Sequence, residues 1–143
     1  MASPETKPLF VEQRIRVKTY DIDFIGHVNN AVYVRWLEDL RLHLLDTYYP
    51  LEEMTADHIA PIIVNTNVHY RQGIVLSDKH VTAQMWVKEF ARATFLLEAR
   101  FLVDGELKCT ADQRGTFIDS RKMRPVRVPV RFRELYDMPR RDG

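Results

Sequence analysis

The length, composition and charge of the chain indicate one ordinary globular domain over residues 1–143. It is 45% hydrophobic and 29% charged, with five glycines and seven prolines, which is enough apolar material for a core of its own. Twenty-one basic and twenty acidic side chains leave a formal charge of +1. Bulk charge therefore gives no reason to expect a nucleic-acid partner.

Targeting and membrane signals are missing from the sequence pattern. The first ten residues, "MASPETKPLF", show no basic segment followed by an apolar one, so no secretory signal is expected. No apolar run approaches the roughly 18 residues of a membrane span. A single cysteine, Cys109, excludes an internal disulfide and fits a reducing compartment. We expect a cytoplasmic protein without a membrane span.

The N-terminal part of the chain predicts a strand followed by a long helix. Residues 1–8 are polar, contain two prolines and are expected to be flexible. From Val11 to Tyr20 apolar and charged side chains alternate, which predicts a half-buried strand. Beyond residue 29 the period becomes helical and continues for about five turns, until Pro50. The apolar face of this helix comprises Tyr33, Leu37, Leu40, Leu44 and Tyr48, with Val34 and Trp36 beside them. Asn29 or Asn30 is the expected N-cap.

The rest of the chain predicts strands. Four segments are rich in β-branched and aromatic residues, namely 60–71, 79–90, 93–103 and 106–119. Asp104-Gly105 predicts a two-residue hairpin, and the short connection after Phe90 requires antiparallel neighbours. We expect these four strands to form a meander, followed by a half-strand and a short helical turn near the end. One long apolar helix and five strands predict an α+β fold in which the sheet curls around the helix.

The stretch "YDIDFIGHVNN", residues 20–30, concentrates polar groups between the first strand and the helix. The spacing of Asp21, Asp23 and Gly26 partly matches a calcium loop, but Ile25 and Val32 stand where oxygen ligands are needed. Asp23 and His27 lack further ligands for zinc. No metal is expected here.

The same stretch suits acyl transfer. A carboxylate just before a helix can activate water or attack a carbonyl carbon, and the free N–H groups of the first helical turn can stabilise an oxyanion. No serine or cysteine nucleophile with a base is evident. The residues of this stretch are therefore compatible with acyl transfer, including the hydrolysis of a thioester, whose thiolate leaves readily.

Between about residues 10 and 135 the chain resembles the hotdog-fold thioesterases, most closely the 4-hydroxybenzoyl-CoA thioesterase-like acyl-CoA hydrolases. The residues that carry this resemblance are Tyr20, Asp21, Asp23, Gly26, His27, Val28, Asn29, Asn30 and Tyr33. Weaker similarity follows in "HYRQGIVLSD" and "DSRKMRPVRVP". The resemblance implies a five-stranded antiparallel sheet around one central helix. It also implies acyl-CoA as substrate, no cofactor, and a homodimer or homotetramer with sites between subunits.

The resemblance also implies roles for individual residues. Asp23 matches the catalytic carboxylate, as nucleophile or general base, and Asn30 matches the residue whose backbone N–H polarises the thioester carbonyl. His27 and Asn29 are expected to orient Asp23 or the water, and Gly26 to let the acyl group approach the backbone. The further residues expected to contact substrate are Tyr33, Arg71 and Arg92, the two arginines as candidates for the coenzyme A phosphates.

Several alternatives stay open at this point. Asp21 is interpreted as a hydrogen-bonding loop residue, and Glu38 on the helix is the second-choice catalytic carboxylate. A carrier-protein thioesterase is a rival function, although Ile25 stands where the plant enzymes of that type have an asparagine. A non-catalytic acyl or acyl-CoA binding protein with the same fold is the other rival.

Overall fold

The computed structural model describes residues 7–139, so residues 1–6 of the segment expected to be flexible lie outside it. Strands and helices follow in the order β1 Val11–Arg16, α1 Asn30–Tyr48, α2 Leu51–Ala56, β2 Ile59–Tyr70, β3 His80–Phe90, β4 Thr94–Val103, β5 Glu106–Asp119, β6 Arg124–Pro125 and α3 Val130–Asp137. Short 3₁₀ turns lie at Thr19–Asp21 and Leu76–Asp78. No helix in this range is long and apolar enough to cross a membrane.

The sheet has the strand order β1-β3-β4-β5-β2, with every neighbouring pair antiparallel, and β6 adds two residues beside β5. The expected meander is therefore wrong for β2, which crosses to the far edge and pairs with β5. A sequence predicts which strands pair only where the connection between them is short. Here the short connections are those between β3 and β4 and between β4 and β5. Asp104 and Gly105 both have positive φ, 49° and 81°, which confirms the two-residue hairpin between β4 and β5.

Helix α1 begins and ends where the sequence pattern predicts. Asn29 is its N-cap, and the side-chain oxygen of Asn29 accepts a hydrogen bond from the Ala31 N–H at 2.9 Å. The helix presents its buried side chains to the concave face of the sheet, namely Val32, Tyr33, Trp36, Leu37, Leu40 and Leu44. Val34, expected beside this face, is 47% exposed, because it lies in line with the outward-facing Asn30 and Glu38.

The core fills the space between α1 and the curled sheet. Phe101 of β4 packs against the rings of Tyr33 and Trp36, at centroid distances of 5.6 and 5.8 Å. Burial of such rings against aliphatic side chains is the main stabilising contribution in a domain of this size. Helix α2 is too short to show a helical period and was not predicted. Helix α3 is longer than the expected single turn and packs Phe132 on Phe117.

One end of the sheet collects the segments that form the site. There β1 ends opposite the start of β3, with Arg16 paired to His80, and β2 ends beside the start of α1, where Tyr70 contacts Tyr33. The two loops at this end, residues 17–29 and 71–79, are joined by backbone hydrogen bonds. The Val17 N–H donates to the Lys79 carbonyl and the Val28 N–H to the Ile74 carbonyl, both at 2.8 Å.

Candidate active site

Asp21 holds the loop before α1 together. It is 4% exposed, its carboxylate accepts a hydrogen bond from the Lys18 N–H at 2.9 Å, and its carbonyl accepts one from the Asn29 N–H at 2.8 Å. A buried carboxylate with backbone donors stabilises a turn. Asp21 therefore serves the loop, as interpreted from the sequence.

A tight turn from Asp23 to His27 positions the second aspartate. The Asp23 N–H donates to the His27 carbonyl at 2.8 Å, and the Gly26 N–H donates to the Asp23 carbonyl at 3.0 Å. Gly26 has φ 88°, in the left-handed region that favours glycine. A Cβ at Gly26 would meet no atom within 4 Å. The glycine is therefore required by its backbone conformation and not by a lack of space.

The carboxylate of Asp23 is held by one oxygen and open at the other. Its Oδ1 accepts hydrogen bonds from the backbone N–H groups of Ile25 and His27, at 3.1 and 3.2 Å. Its Oδ2 accepts none from any group within residues 7–139. The backbone of His27 thus helps to orient Asp23, which is half-buried, and one carboxylate oxygen remains available for a substrate or a water.

The first turn of α1 offers one free backbone donor. The Ala31 N–H is satisfied by the Asn29 side chain, and the Val32 N–H by the Asn29 carbonyl, both at 2.9 Å. The Asn30 N–H donates to no group among the described residues. A free N–H at the start of a 19-residue helix, where the helix dipole is positive, stabilises negative charge on a nearby oxygen.

The residues that carry these groups line a single pocket of about 400 Å³. Its lining comprises Asp23, Ile25, His27, Val28, Asn29, Asn30, Tyr33, Tyr70, Arg71, Gln72 and Gly73. Six residues singled out from the sequence are thus brought together. A carboxylate oxygen and a backbone donor on one pocket are the groups that hydrolysis of a carbonyl compound requires.

Two tyrosines form a wall of this pocket. The ring of Tyr33 meets Tyr70 edge-on at 5.2 Å, and the Tyr70 hydroxyl donates to the Asn30 carbonyl at 3.4 Å. Burial raises the pKa of both hydroxyls, so they stay protonated at neutral pH. The wall is uncharged and supports the first turn of α1.

Gly73 makes room for the imidazole of His27. A Cβ at Gly73 would lie 2.9 Å from three atoms of the His27 ring, so the ring rests directly on the glycine backbone. Sequence reasoning assigned no role to Tyr70, Gln72 or Gly73. The weak similarity in "HYRQGIVLSD" was the signal that marked them.

Three residues considered from the sequence do not line the pocket. Arg92 lies between β3 and β4 at the opposite end of the sheet, where its carbonyl accepts from the Val128 N–H. Gly26 acts within the turn, and Glu38 lies on the exposed side of α1. Within residues 7–139 no group of three His, Cys, Asp or Glu side chains is placed to hold a metal ion.

An antiparallel sheet wrapped around a central helix is the hotdog fold. Residues 17–135 match the model of the thioesterase-like superfamily, and the chain belongs to this family. It is 32% identical over 108 residues to the long-chain acyl-CoA thioesterase FadM of Escherichia coli strain K12. This alignment covers 76% of the present chain and 81% of FadM.

Solved structures agree with this assignment. The probable thioesterase YbaW from Escherichia coli superposes with a TM-score of 0.78 at 29% identity, over 86% of this chain and 93% of YbaW. A thioesterase from Thermus thermophilus, complexed with coenzyme A and Zn, gives a TM-score of 0.76 at 22% identity, over 91% and 92% of the two chains. The second likeness shows the fold alone.

Proposed function

We propose that the chain hydrolyses acyl-CoA thioesters to a free carboxylic acid and coenzyme A, without a metal or an organic cofactor. The observation that carries this proposal is the free Oδ2 of Asp23 and the free N–H of Asn30 on one pocket. The 32% identity to a long-chain acyl-CoA thioesterase supports the substrate class.

The chemistry follows from the two free groups. The thioester carbonyl oxygen accepts a hydrogen bond from the Asn30 N–H, which stabilises the oxyanion of the tetrahedral intermediate. Asp23 then acts in one of two ways. As a general base, its Oδ2 removes a proton from the attacking water. As a nucleophile, it attacks the carbonyl carbon, and water hydrolyses the resulting anhydride. In both, a C–O bond forms, the C–S bond breaks and the thiolate leaves.

A thiol-release assay on acyl-CoAs of increasing chain length tests the function. We expect turnover that continues after chelation with EDTA, because no metal takes part. The buried Cys109, whose thiol pKa burial raises to about 12, contributes no background to such an assay. A non-catalytic binding protein would bind acyl-CoA and release no thiol. A carrier-protein thioesterase would act on the carrier-bound acyl chain and leave acyl-CoA intact.

A long acyl chain is the acyl group that we propose. FadM is named a long-chain acyl-CoA thioesterase, which supports a long acyl group. The protomer core is too small to hold such a group. The apolar cavity between α1 and the sheet holds only about 30 Å³, far less than a long chain occupies. We therefore propose that the acyl chain of the substrate binds between two subunits.

A dimer or larger homo-oligomer, located in the cytoplasm, completes the proposal. Strand β2 is an edge strand of twelve residues, and natural proteins seldom leave such an edge uncovered. It exposes Ile62, Val64 and Tyr70, which are 40%, 70% and 47% accessible. A partner on this edge would border the active-site pocket, because Tyr70 and Arg71 line it. The free thiol of Cys109 fits a reducing compartment.

A further inference from the structure

A second concave surface, the basic groove, is formed by the same two loops as the active-site pocket, together with the ends of β1 and β3. It encloses about 700 Å³ and is lined by Arg16, Val17, Lys18, Thr19, Tyr20, Leu76, Lys79 and His80. Four of these eight residues are basic or carry an imidazole, and none is acidic. Such a surface attracts anions, phosphates above all.

The cations of the basic groove are not neutralised by neighbouring carboxylates. Within residues 7–139, Arg16, Lys18 and Lys79 form no ion pair. The Arg14 guanidinium lies 3.3 Å from Nδ1 of His80, which is a hydrogen-bond contact with a nitrogen and not with a carboxylate. The groove therefore offers donors that are not engaged with an acid.

Lys79 occupies a strained backbone position. Its φ of 66° and ψ of −56° lie near the strained γ-turn region that residues with a side chain rarely adopt. The Val17 N–H donates to the Lys79 carbonyl at 2.8 Å and holds it there. Glycine would adopt this conformation without strain. The presence of lysine at this position therefore favours a binding role for its charged side chain.

Tyr20 adds an aromatic surface to the basic groove. Its ring is 71% exposed, and the Nζ of Lys18 lies 5.9 Å from the ring centroid. Exposed aromatic rings beside cations are the surface on which a nucleobase stacks while its phosphates are neutralised.

We propose that the basic groove binds the phosphorylated nucleotide end of coenzyme A, with its phosphates on Arg16, Lys18 and Lys79 and its adenine on Tyr20. This inference rests on the proposed acyl-CoA hydrolysis. Lys18 precedes Asp23 by five residues, so their Cα atoms lie within about 18 Å. The pantetheine arm spans from the groove to the pocket, past the loops joined by the Val28–Ile74 hydrogen bond.

The shape of the basic groove favours a nucleotide over a carrier protein. A single exposed ring inside a concavity of about 700 Å³ matches one base with its phosphates. A protein partner needs a broad face, on the order of 800 Å² on each side. The coenzyme is therefore the occupant that we assign.

The test compares acyl-CoA with the same acyl group on pantetheine, which lacks the nucleotide. The groove variants are Lys18→Gln and Lys79→Gly, and the matched control is Lys122→Gln, in the turn after β5 at the opposite end of the sheet. We expect each groove variant to raise KM for acyl-CoA by about 3- to 10-fold, the range for losing one partly exposed charge-assisted contact. The kcat, and the KM for acyl-pantetheine, should match the parent, as should both constants in Lys122→Gln.

Two further measurements separate binding from folding. Lys79→Gly should not lower the Tm, because glycine relieves the backbone strain, so a raised KM in a variant of undiminished stability supports the assignment. Tyr20→Ala should raise KM for acyl-CoA, whereas Tyr20→Phe should not. An unchanged KM in the lysine variants would overturn the proposal. So would an equal rise for acyl-pantetheine, or a rise seen only with an acyl-carrier-protein substrate.

Calorimetry with coenzyme A alone distinguishes this inference from the proposed function. If the parent binds coenzyme A and the groove variants bind it more weakly, the groove assignment holds even for a protein that releases no thiol. In that case only the proposed hydrolysis fails. If the parent hydrolyses acyl-CoA and the groove variants bind coenzyme A as tightly as the parent does, the groove assignment fails and the hydrolysis stands.

Discussion

The carboxylate of Asp23 is oriented by backbone N–H groups of its own turn, and no charged side chain within residues 7–139 pairs with it. Its position therefore depends on the geometry of the turn, which Gly26 closes with a positive φ. The donor that we propose for polarising the thioester carbonyl is also a backbone group, the N–H of Asn30. At the residue scale, the site is made chiefly of main chain, and side-chain identity matters most at Asp23.

Variants of Asn30 test whether its backbone carries its role. Asn30→Ala keeps the N–H and should leave kcat near that of the parent. Asn30→Pro removes it at the first helical position, where proline is well tolerated, and Asn29 already has the extended conformation that precedes proline. We expect Asn30→Pro to lower kcat by about 10²- to 10³-fold, with an unchanged Tm. Equal activity of the two variants would exclude the N–H as the polarising group.

Gly73→Ala tests the placement of His27. The new Cβ would lie 2.9 Å from the imidazole and would displace this exposed side chain, a change that costs little stability because the ring can move away. We expect lower kcat/KM with an unchanged Tm. In the double variant with His27→Ala, the Gly73 substitution should have no further effect, as a double-mutant cycle measures. Additive losses would show that Gly73 acts on the site independently of His27.

At the element scale, the sequence predicted what depends on local pattern. Helical period and the prolines and asparagines at its ends located α1, and β-branched and aromatic content located β2 to β5 to within a residue. The alternating pattern predicted β1 as far as Tyr20, but the strand ends at Arg16, where the 3₁₀ turn and the polar loop take over. The position of β2 beside β5 was not predictable, because α1 and α2 separate it from β1 by a long connection. The same limit applies to the site. Asp23 and Asn30 share one short motif, whereas Tyr70 and Gly73 reach the pocket through the pairing of β2.

Asn29→Ala tests the capping of α1, the element that supports the site. The substitution removes the hydrogen bond to the Ala31 N–H, and loss of an N-cap typically costs about 1 kcal/mol of unfolding free energy. Denaturant unfolding should show this loss, and kcat should fall as the first turn of α1 frays. Asn29→Asp, which caps equally well, should restore stability. A stable Asn29→Ala variant would mean that packing alone fixes the start of α1.

At the scale of the whole molecule, the exposed edge of β2 is the feature that most needs a partner. We expect the parent to sediment as a dimer or larger at micromolar concentration and Val64→Lys to weaken that assembly. Val130→Lys is the matched control, because Val130 on α3 is also 70% exposed. Activity should fall with dissociation, since β2 borders the pocket. A fully active monomer would contradict a site between subunits.

The catalytic role of Asp23 is the central claim, and steady-state kinetics of Asp23→Asn on the best acyl-CoA test it most directly. The amide keeps the size of the side chain and an oxygen for the Ile25 and His27 N–H groups, but loses the charge. We expect kcat to fall by at least about 10²-fold, the lower end for general-base catalysis, with little change in KM. Circular dichroism and oligomer size should match the parent, and Glu38→Gln should retain parental activity. An Asp23→Asn variant that kept more than about a third of the parental kcat, well above this range, would contradict the account.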